Sequence, residues 1–277
     1  MDWEQAEAQV PKANTNPDII TMLTRTMDTA LSRHEQAAGH RLDREHSIAG
    51  HLHFASAADN AAAFARPFCR RDVGCQKPGL PMEFMVAGCA ALLYSLRHAR
   101  FLLQHTEARH DPDASILITA ASDMLPFAHA RTRAPAAYRT DIDSWLFQAI
   151  FGEAVGALLV GHADPTGHDW TIEDDQWHAV TDDWRVNLSA DDIPHVDIRA
   201  RQVGATFRTN VPAIARQALN ALGLSSFEDL HRLCIHESNP HLVSAVADEV
   251  GAPPGVVHSI SAQGGHPRRR LRLLPPR

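Results

Sequence analysis

A layered α/β fold with a mostly parallel sheet is what this sequence predicts, on three observations. Apolar runs of strand length alternate with amphipathic runs of helix length along the chain. The order strand, reactive residue at a sharp turn, amphipathic helix occurs in both halves, although the halves do not match residue by residue. Hydrophobic residues make up 44% and charged residues 21% of the 277 positions, the usage of a folding chain, long enough for one large core or two fused halves.

The elements follow in order. From Asp18 to about Arg44, a stretch that opens "DIITMLTRTMDTALSRHEQAAGHR" repeats apolar residues at three and four, which predicts a helix with a polar outer face. "HSIAGHLHFASA" reads as a buried strand, residues 60 to 70 as helical, and "CQKPG" as a turn. "LPMEFMVAG" is a strand running into the helix that Cys89 opens. "ASILITAASDML" is β-rich, and "WLFQAIFGEAVGALLVGHA" combines an apolar turn with a further strand. Residues 164–200 are acidic, rich in Trp and His and weakly periodic, and are expected to form a variable surface excursion. "RTNVPAIARQALNALGLSS" is a helix ended by Gly223, and "DLHRLCIHES" a short buried strand. "NPHLVSAVADEVG" is a helix stopped by Gly251, and "GVVHSISAQGG" a last strand into a glycine turn.

Several function classes are disfavoured at once. A net charge of -7 makes no basic field for nucleic acid, and only Arg268 to Arg272 is strongly basic. No apolar run approaches the roughly 20 residues that span a bilayer. "MDWEQAEAQVPK" lacks the signal-peptide pattern, so no membrane association and a cytoplasmic location are expected. The 4 cysteines (Cys69, Cys75, Cys89, Cys234) are too few for a disulfide framework in a chain this long, which points to a reducing compartment and free thiols. "CRRDVGC" has no second ligand pair, and His51, His53 and the other histidines show no H-E-x-x-H helix, so no metal site is expected. Hydrolase-elbow and phosphate-loop motifs are absent.

The stretch "LPMEFMVAGCAALLYSLRHAR" sets a cysteine between a short apolar run and a long amphipathic helix. A strand ending at Gly88 and a helix starting near Ala90 put the Cys89 sulfur at a helix N-terminus, where unpaired amides and the macrodipole stabilise a thiolate. The same amides can hold the oxyanion of a tetrahedral intermediate, a reason for small residues on either side. A small buried core residue fits the same pattern and is the commoner fate of a lone cysteine. In the second half, His236 follows an apolar run, and Asn239 precedes Pro240 as a plain N-cap would.

Four segments in order resemble the ketoacyl-acyl-carrier-protein synthase III branch of the thiolase-like superfamily. "VAGCAALLYSLRHARFLL" resembles the nucleophile segment, and "ASILITAASDML" the strand that follows it. "FGEAVGALLVG" is similar to the family's glycine-rich strand opening, with Glu153 at its acidic position and Ala154 and Val155 replacing a glycine-alanine pair. "CIHESNPHLVSAVADEVG" resembles the histidine-x-x-asparagine segment at His236 and Asn239. The resemblance implies a layered αβαβα fold of two similar halves: residues 1–163 with the nucleophile, the excursion 164–200, and 201–277 with the histidine. It implies that Cys89 takes an acyl group as a thioester, that His236 assists the second half-reaction, and that Asn239 contacts substrate. It further implies acyl-CoA or acyl carrier protein thioesters as substrates, no separate cofactor, and a homodimer.

Two departures bear on the chemistry. "SAQGGH" puts Gly265 where the family has an asparagine in a glycine-asparagine-threonine turn, and a glycine has no side-chain donor to offer. Beyond His266 the family continues with a helix and a closing hairpin, whereas this chain reads "PRRRLRLLPPR". The likeness therefore runs from about residue 18 to residue 266, short at both ends. A frame slip in an alanine- and serine-rich helix would write such a tail, and a basic tail for an acidic partner is the alternative. The expectation is an acyltransferase that condenses with malonyl-ACP or passes the acyl group to a hydroxyl or amine. Its rival is a non-catalytic pseudoenzyme serving as dimer partner of a condensing enzyme.

Overall fold

A computed structural model describes residues 19–55, 66–77, 80–85, 90–122, 154–162, 186–189, 195–198, 200–236 and 240–258. The chain divides into two compact units, Met1–Asp175 with Ser189–His195, and Gln176–Leu188 with Val196–Arg277.

The first unit is built on a four-stranded sheet. Its strands are β1 (Ile48–Ala55), β2 (Met82–Met85), β3 (Ser115–Ser122) and β4 (Ala154–Gly161), in the order β2-β1-β3-β4. β1 runs parallel to both β2 and β3, as the alternation of strands and helices predicts, while β4 pairs antiparallel with β3 along its whole length. Helix α1 (Ile19–Ala38) places Leu23, Met27 and Leu31, all fully buried, on one stripe at four-residue spacing. That stripe shares a core with Leu117 of β3, the buried Cys69, Val73 and Cys75, and the half-buried Val155, Ala157 and Leu159 of β4. The helix stops at Ala38 rather than continuing to Arg44. Gly39 adopts φ 71, a left-handed conformation that closes a helix at little cost only for glycine.

Arg44, just past that stop, ties α1 to the 3-10 helix Arg66–Val73. Its Nε and Nη2 donate to the Glu35 carboxylate at 3.0 and 3.2 Å, and Nη1 donates to Asp28 Oδ1 at 2.7 Å and to the Val73 carbonyl at 3.2 Å. The hydrogen bond from Arg44 holds the Glu35 carboxyl below its ordinary pKa. On the opposite face of the sheet lies α2 (Ala91–His105), whose Ala99 and Leu103 share a second core with Leu52, Ile116 and Ile118. Alternation along the strands assigns the faces: Leu52, Ile116 and Ile118 face α2, while His51, His53, Leu117 and Thr119 face α1 and the 3-10 helix.

The segment expected to form a variable surface excursion contains strands β5 (Val186–Ser189) and β6 (His195–Ile198), which form a two-stranded sheet. Helix α3 (Ala200–Ala221) begins before the expected Arg208, because Val203 and Phe207 already continue the apolar spacing of Val211. In the second unit α3 packs against α4 (Pro240–Val250), and Arg216 Nη2 donates to the Glu249 carbonyl at 2.7 Å. Leu219, Phe227, Val243, Val246 and Ala247 are buried there. Gly223 (φ 69) and Gly251 (φ 71) end the two helices as the sequence predicts. Each is followed by an amide bonded back five residues, Leu224 to Leu219 at 3.1 Å and Ala252 to Ala247 at 2.9 Å.

β7 (Leu233–Cys234) and β8 (Val257–His258) are short and parallel. The expectation of a buried strand fails at Cys234, which is exposed. Among the described residues the ladder joins only two residues on each strand, too few to bury both faces. No helix among the described residues is long and apolar enough to cross a membrane.

Candidate functional site

Of the three residues expected to carry chemistry, His236 is described, whereas Cys89 and Asn239 lie outside the described residues. The frame around each is in place. β2 ends at Met85 and α2 begins at Ala91, so Cys89 stands on the connection from strand to helix. Ala90 caps α2 with φ -84 and ψ -8, and its side chain makes no capping hydrogen bond. Ala90 itself offers the first-turn N–H groups no side-chain acceptor, and such groups favour an anion where they are unpaired.

The inner face of α2 is made of small residues. Ala91, Ser95 and Ala99 are fully buried, and Ser95 returns its hydroxyl to the Ala91 carbonyl at 2.8 Å. The helix therefore lies close on the sheet without exposing a polar group. His98 Nε2 sits 2.9 Å from Glu83 Oε1, linking α2 to the strand that precedes it. Such a half-exposed pair contributes at most about 1 kcal/mol, so it orients more than it stabilises.

His236 is exposed and follows β7 by two residues. Asn239 immediately precedes Pro240, the first residue of α4, where proline loses no hydrogen bond because that amide has no helical acceptor. Cys89 belongs to the first unit, His236 and Asn239 to the second.

The other cysteines differ in environment. Cys69 is buried, and desolvation pushes its thiol up to about 11. Cys75 is fully buried and its thiol is likewise raised, first by burial, against the opposing pull of Arg44 and Arg70. Both are inert at neutral pH by this measure. Because Cys234 is exposed, the proper internal standards for thiol reactivity are Cys69 and Cys75. At pH 7.5 iodoacetamide is expected to alkylate Cys89 at least tenfold faster than either, read by peptide mass mapping. Equal rates would return Cys89 to an ordinary core residue.

One polar cluster was not anticipated from the sequence. His51 and His53, both fully buried, hydrogen-bond the same hydroxyl: His51 Nε2 is 2.7 Å and His53 Nδ1 2.8 Å from Thr119 Oγ1. Arg70 Nη1 reaches His51 Nδ1 at 3.5 Å. A guanidinium can only donate, so His51 Nδ1 accepts and its Nε2–H donates to Thr119. Burial, then His53 and Arg70, pushes the His51 pKa down to about 3. The available signal was the pattern H-x-H inside an apolar strand, which sets both rings on one face at period two.

No protein-family model matches the chain. Among solved structures, the chain is similar to 3-oxoacyl-(acyl carrier protein) synthase III from Pseudomonas aeruginosa, with TM-score 0.57 and 16% identity over 94% of this chain and 78% of that one. It is similar to the Aquifex aeolicus synthase III, with TM-score 0.56 and 14% identity over 88% and 69%. A priming β-ketosynthase of a polyketide biosynthetic pathway gives TM-score 0.60 and 18% identity over 95% and 74%. What is shared at such identity is architecture: this chain has the thiolase-like α/β fold of the 3-oxoacyl-(acyl carrier protein) synthase III structures.

Proposed function

We propose that the chain is an acyltransferase of the ketoacyl-ACP synthase III kind, with Cys89 as nucleophile. The observation that carries this reading is the position of a cysteine on the β2-to-α2 connection of a fold shared with such synthases over most of the chain. The Cys89 thiolate would attack the carbonyl of an acyl-CoA or acyl-ACP thioester. The oxyanion formed would rest on the first-turn amides of α2, and its collapse would expel the carrier thiolate, leaving an acyl-cysteine. His236 and Asn239 would then serve the second half-reaction, in which the acyl group passes to malonyl-ACP with loss of carbon dioxide, or to a hydroxyl or amine. Gly265 in place of a side-chain donor favours the simpler transfer. Substrates of this kind support a cytoplasmic location, and the proposed reaction would need no further cofactor.

Intact-mass spectrometry after incubation with a panel of acyl-CoAs tests the reading: one acyl mass should appear per chain, on Cys89. The same departure at Gly265 supports the rival reading, a non-catalytic partner of a condensing enzyme. No adduct from any acyl-CoA or acyl-ACP would favour it.

We also propose a homodimer joined along β2. This strand pairs with β1 alone among the described residues, so its other edge offers backbone groups to a second copy. Light scattering at micromolar concentration is expected to give twice the chain mass, and a clean monomer would exclude the arrangement.

A further inference from the structure

The 3-10 helix Arg66–Val73 faces His51, His53 and Thr119 of the sheet, and it reaches them through Arg70. Arg70 and His51 are both buried, and Arg70 Nη1 approaches His51 Nδ1 at 3.5 Å. That approach suits one protonation state of the ring. With Nδ1 as a bare lone pair, the guanidinium donates to it and Nε2–H donates to Thr119 Oγ1 at 2.7 Å, leaving the Thr119 hydroxyl hydrogen for His53 Nδ1 at 2.8 Å. The charged groups acting on the His51 ring are His53 on its own strand and Arg70 on the 3-10 helix, both positive when charged. β2 sets Met82 and Phe84 in register beside the two histidines, and α1 brings the apolar stripe of Leu23, Met27 and Leu31 to the same side. Arg71 and Asp72 of the 3-10 helix are exposed, and the thiol of Cys75 acts on Arg70 rather than on the ring.

A proton on His51 puts a hydrogen on both ring nitrogens. Nδ1–H would then meet the Arg70 N–H, donor against donor and cation against cation, at a depth where solvent and salt screen little. The attachment that yields is the weaker one. β1 is held to β3 by a ladder running from Ile48 to Ala55. Among the described side chains, the 3-10 helix is joined to its surroundings by buried Cys69 and Val73, by the Cys69 thiol against Thr24, by the Val73 carbonyl that Arg44 holds at 3.2 Å, and by the Arg70 approach itself. Gly74 follows with φ 87, a position where the backbone turns cheaply. We propose that protonation of His51 lifts this 3-10 helix off the sheet and bares Cys69 and Cys75, so that the first unit carries an acid-released latch over two thiols. While the latch is shut, burial holds both thiols inert. Burial also keeps the shut ring neutral, with its pKa down at about 3, whereas a released ring titrates near 6.5. The shut form is therefore fully favoured above pH 6.5, and the released form gains as pH falls from there toward 3.

The test labels the full 277-residue chain with dithiodipyridine, which reacts with thiols in acid as well as at neutrality, and reads each cysteine by peptide mass mapping. The exposed Cys234 is the internal reference for the reagent. Relative to Cys234, Cys69 and Cys75 should label about twentyfold faster at pH 5 than at pH 7. That gain should stay constant through low urea, because a local opening exposes little surface. His51→Gln, which cannot take up the proton, should remove most of it. Hydrogen exchange on the wild type needs no variant: the amides of residues 69–75 should lose protection relative to those of β3 over the same pH interval. A labelling ratio equal at pH 5 and pH 7 overturns the proposal. A gain that climbs with the first additions of urea, or an equal loss of protection in β3, overturns it too, by assigning the exposure to unfolding of the whole unit. A gain kept in full by His51→Gln would exclude the ring as the trigger.

Discussion

Replacing Cys89 by alanine is expected to abolish acylation of the protein: no acyl mass on incubation with any acyl-CoA that loads the wild type, and a rate lower by about a thousandfold or more. The expectation rests on a single sulfur at the junction of β2 and α2, where a thiolate gains from the first-turn amides of a helix whose cap residue, Ala90, offers them no side-chain acceptor. The variant should fold as the wild type does, since α2 holds to the sheet through Ala91, Ser95, Ala99 and Leu103, all C-terminal to the substitution. His236→Ala separates the half-reactions. It should still acquire the acyl group and should lose about a hundred- to a thousandfold in transfer, the usual cost of one donor aimed at developing charge. Condensation with malonyl-ACP is expected to be weak even in the wild type, because Gly265 has no side-chain donor. Robust malonyl-dependent condensation would contradict that, and an acyl adduct retained on Cys89→Ala would contradict the assignment of the nucleophile.

Acid is expected to destabilise the protein well above the range where carboxylates titrate. The buried His51 ring stays neutral in the folded state, with its pKa pushed down to about 3, whereas the unfolded chain takes up that proton near 6.5. Above 6.5 both states are neutral at this ring and the contribution to stability is complete. As pH falls from 6.5 toward 3, only the unfolded state binds the proton, and stability drops by up to about 1.4 kcal/mol per pH unit. At pH 5 the loss from this one ring approaches 2 kcal/mol, a large share of a typical net stability. The groups facing the ring are His53 on its own strand, Thr119 on β3 and Arg70 on the 3-10 helix, and both His53 and Arg70 oppose a charge on it. Urea unfolding at pH 7, 6 and 5 reads the slope. His51→Gln keeps a polar side chain without a titrating proton and should flatten that slope between pH 6.5 and 5. A wild type as stable at pH 5 as at pH 7, or a variant with an unchanged slope, would remove the ring from the account.

What the sequence determined by itself was local or periodic. The stripe Leu23, Met27, Leu31 declares α1, and glycines placed after apolar runs declare the ends of α3 and α4, because only glycine takes φ near 70 cheaply. The strand before Cys89 and the amphipathic helix after it were likewise legible, since each carries its own apolar period, while Cys89 itself lies outside the described residues. Tertiary structure decided what depends on pairing and depth. β4 runs antiparallel to β3, although its apolar composition is the same as that of a parallel strand, because direction is set by where the chain re-enters the sheet. Cys234 is exposed in an apolar-looking segment because, among the described residues, β7 has only a two-residue ladder with β8 to shelter it. The cluster of His51, His53, Thr119 and Arg70 could not be read from the sequence either. Its members are up to 68 residues apart, and what makes them one group is the parallel register of β1 with β3 beneath the 3-10 helix.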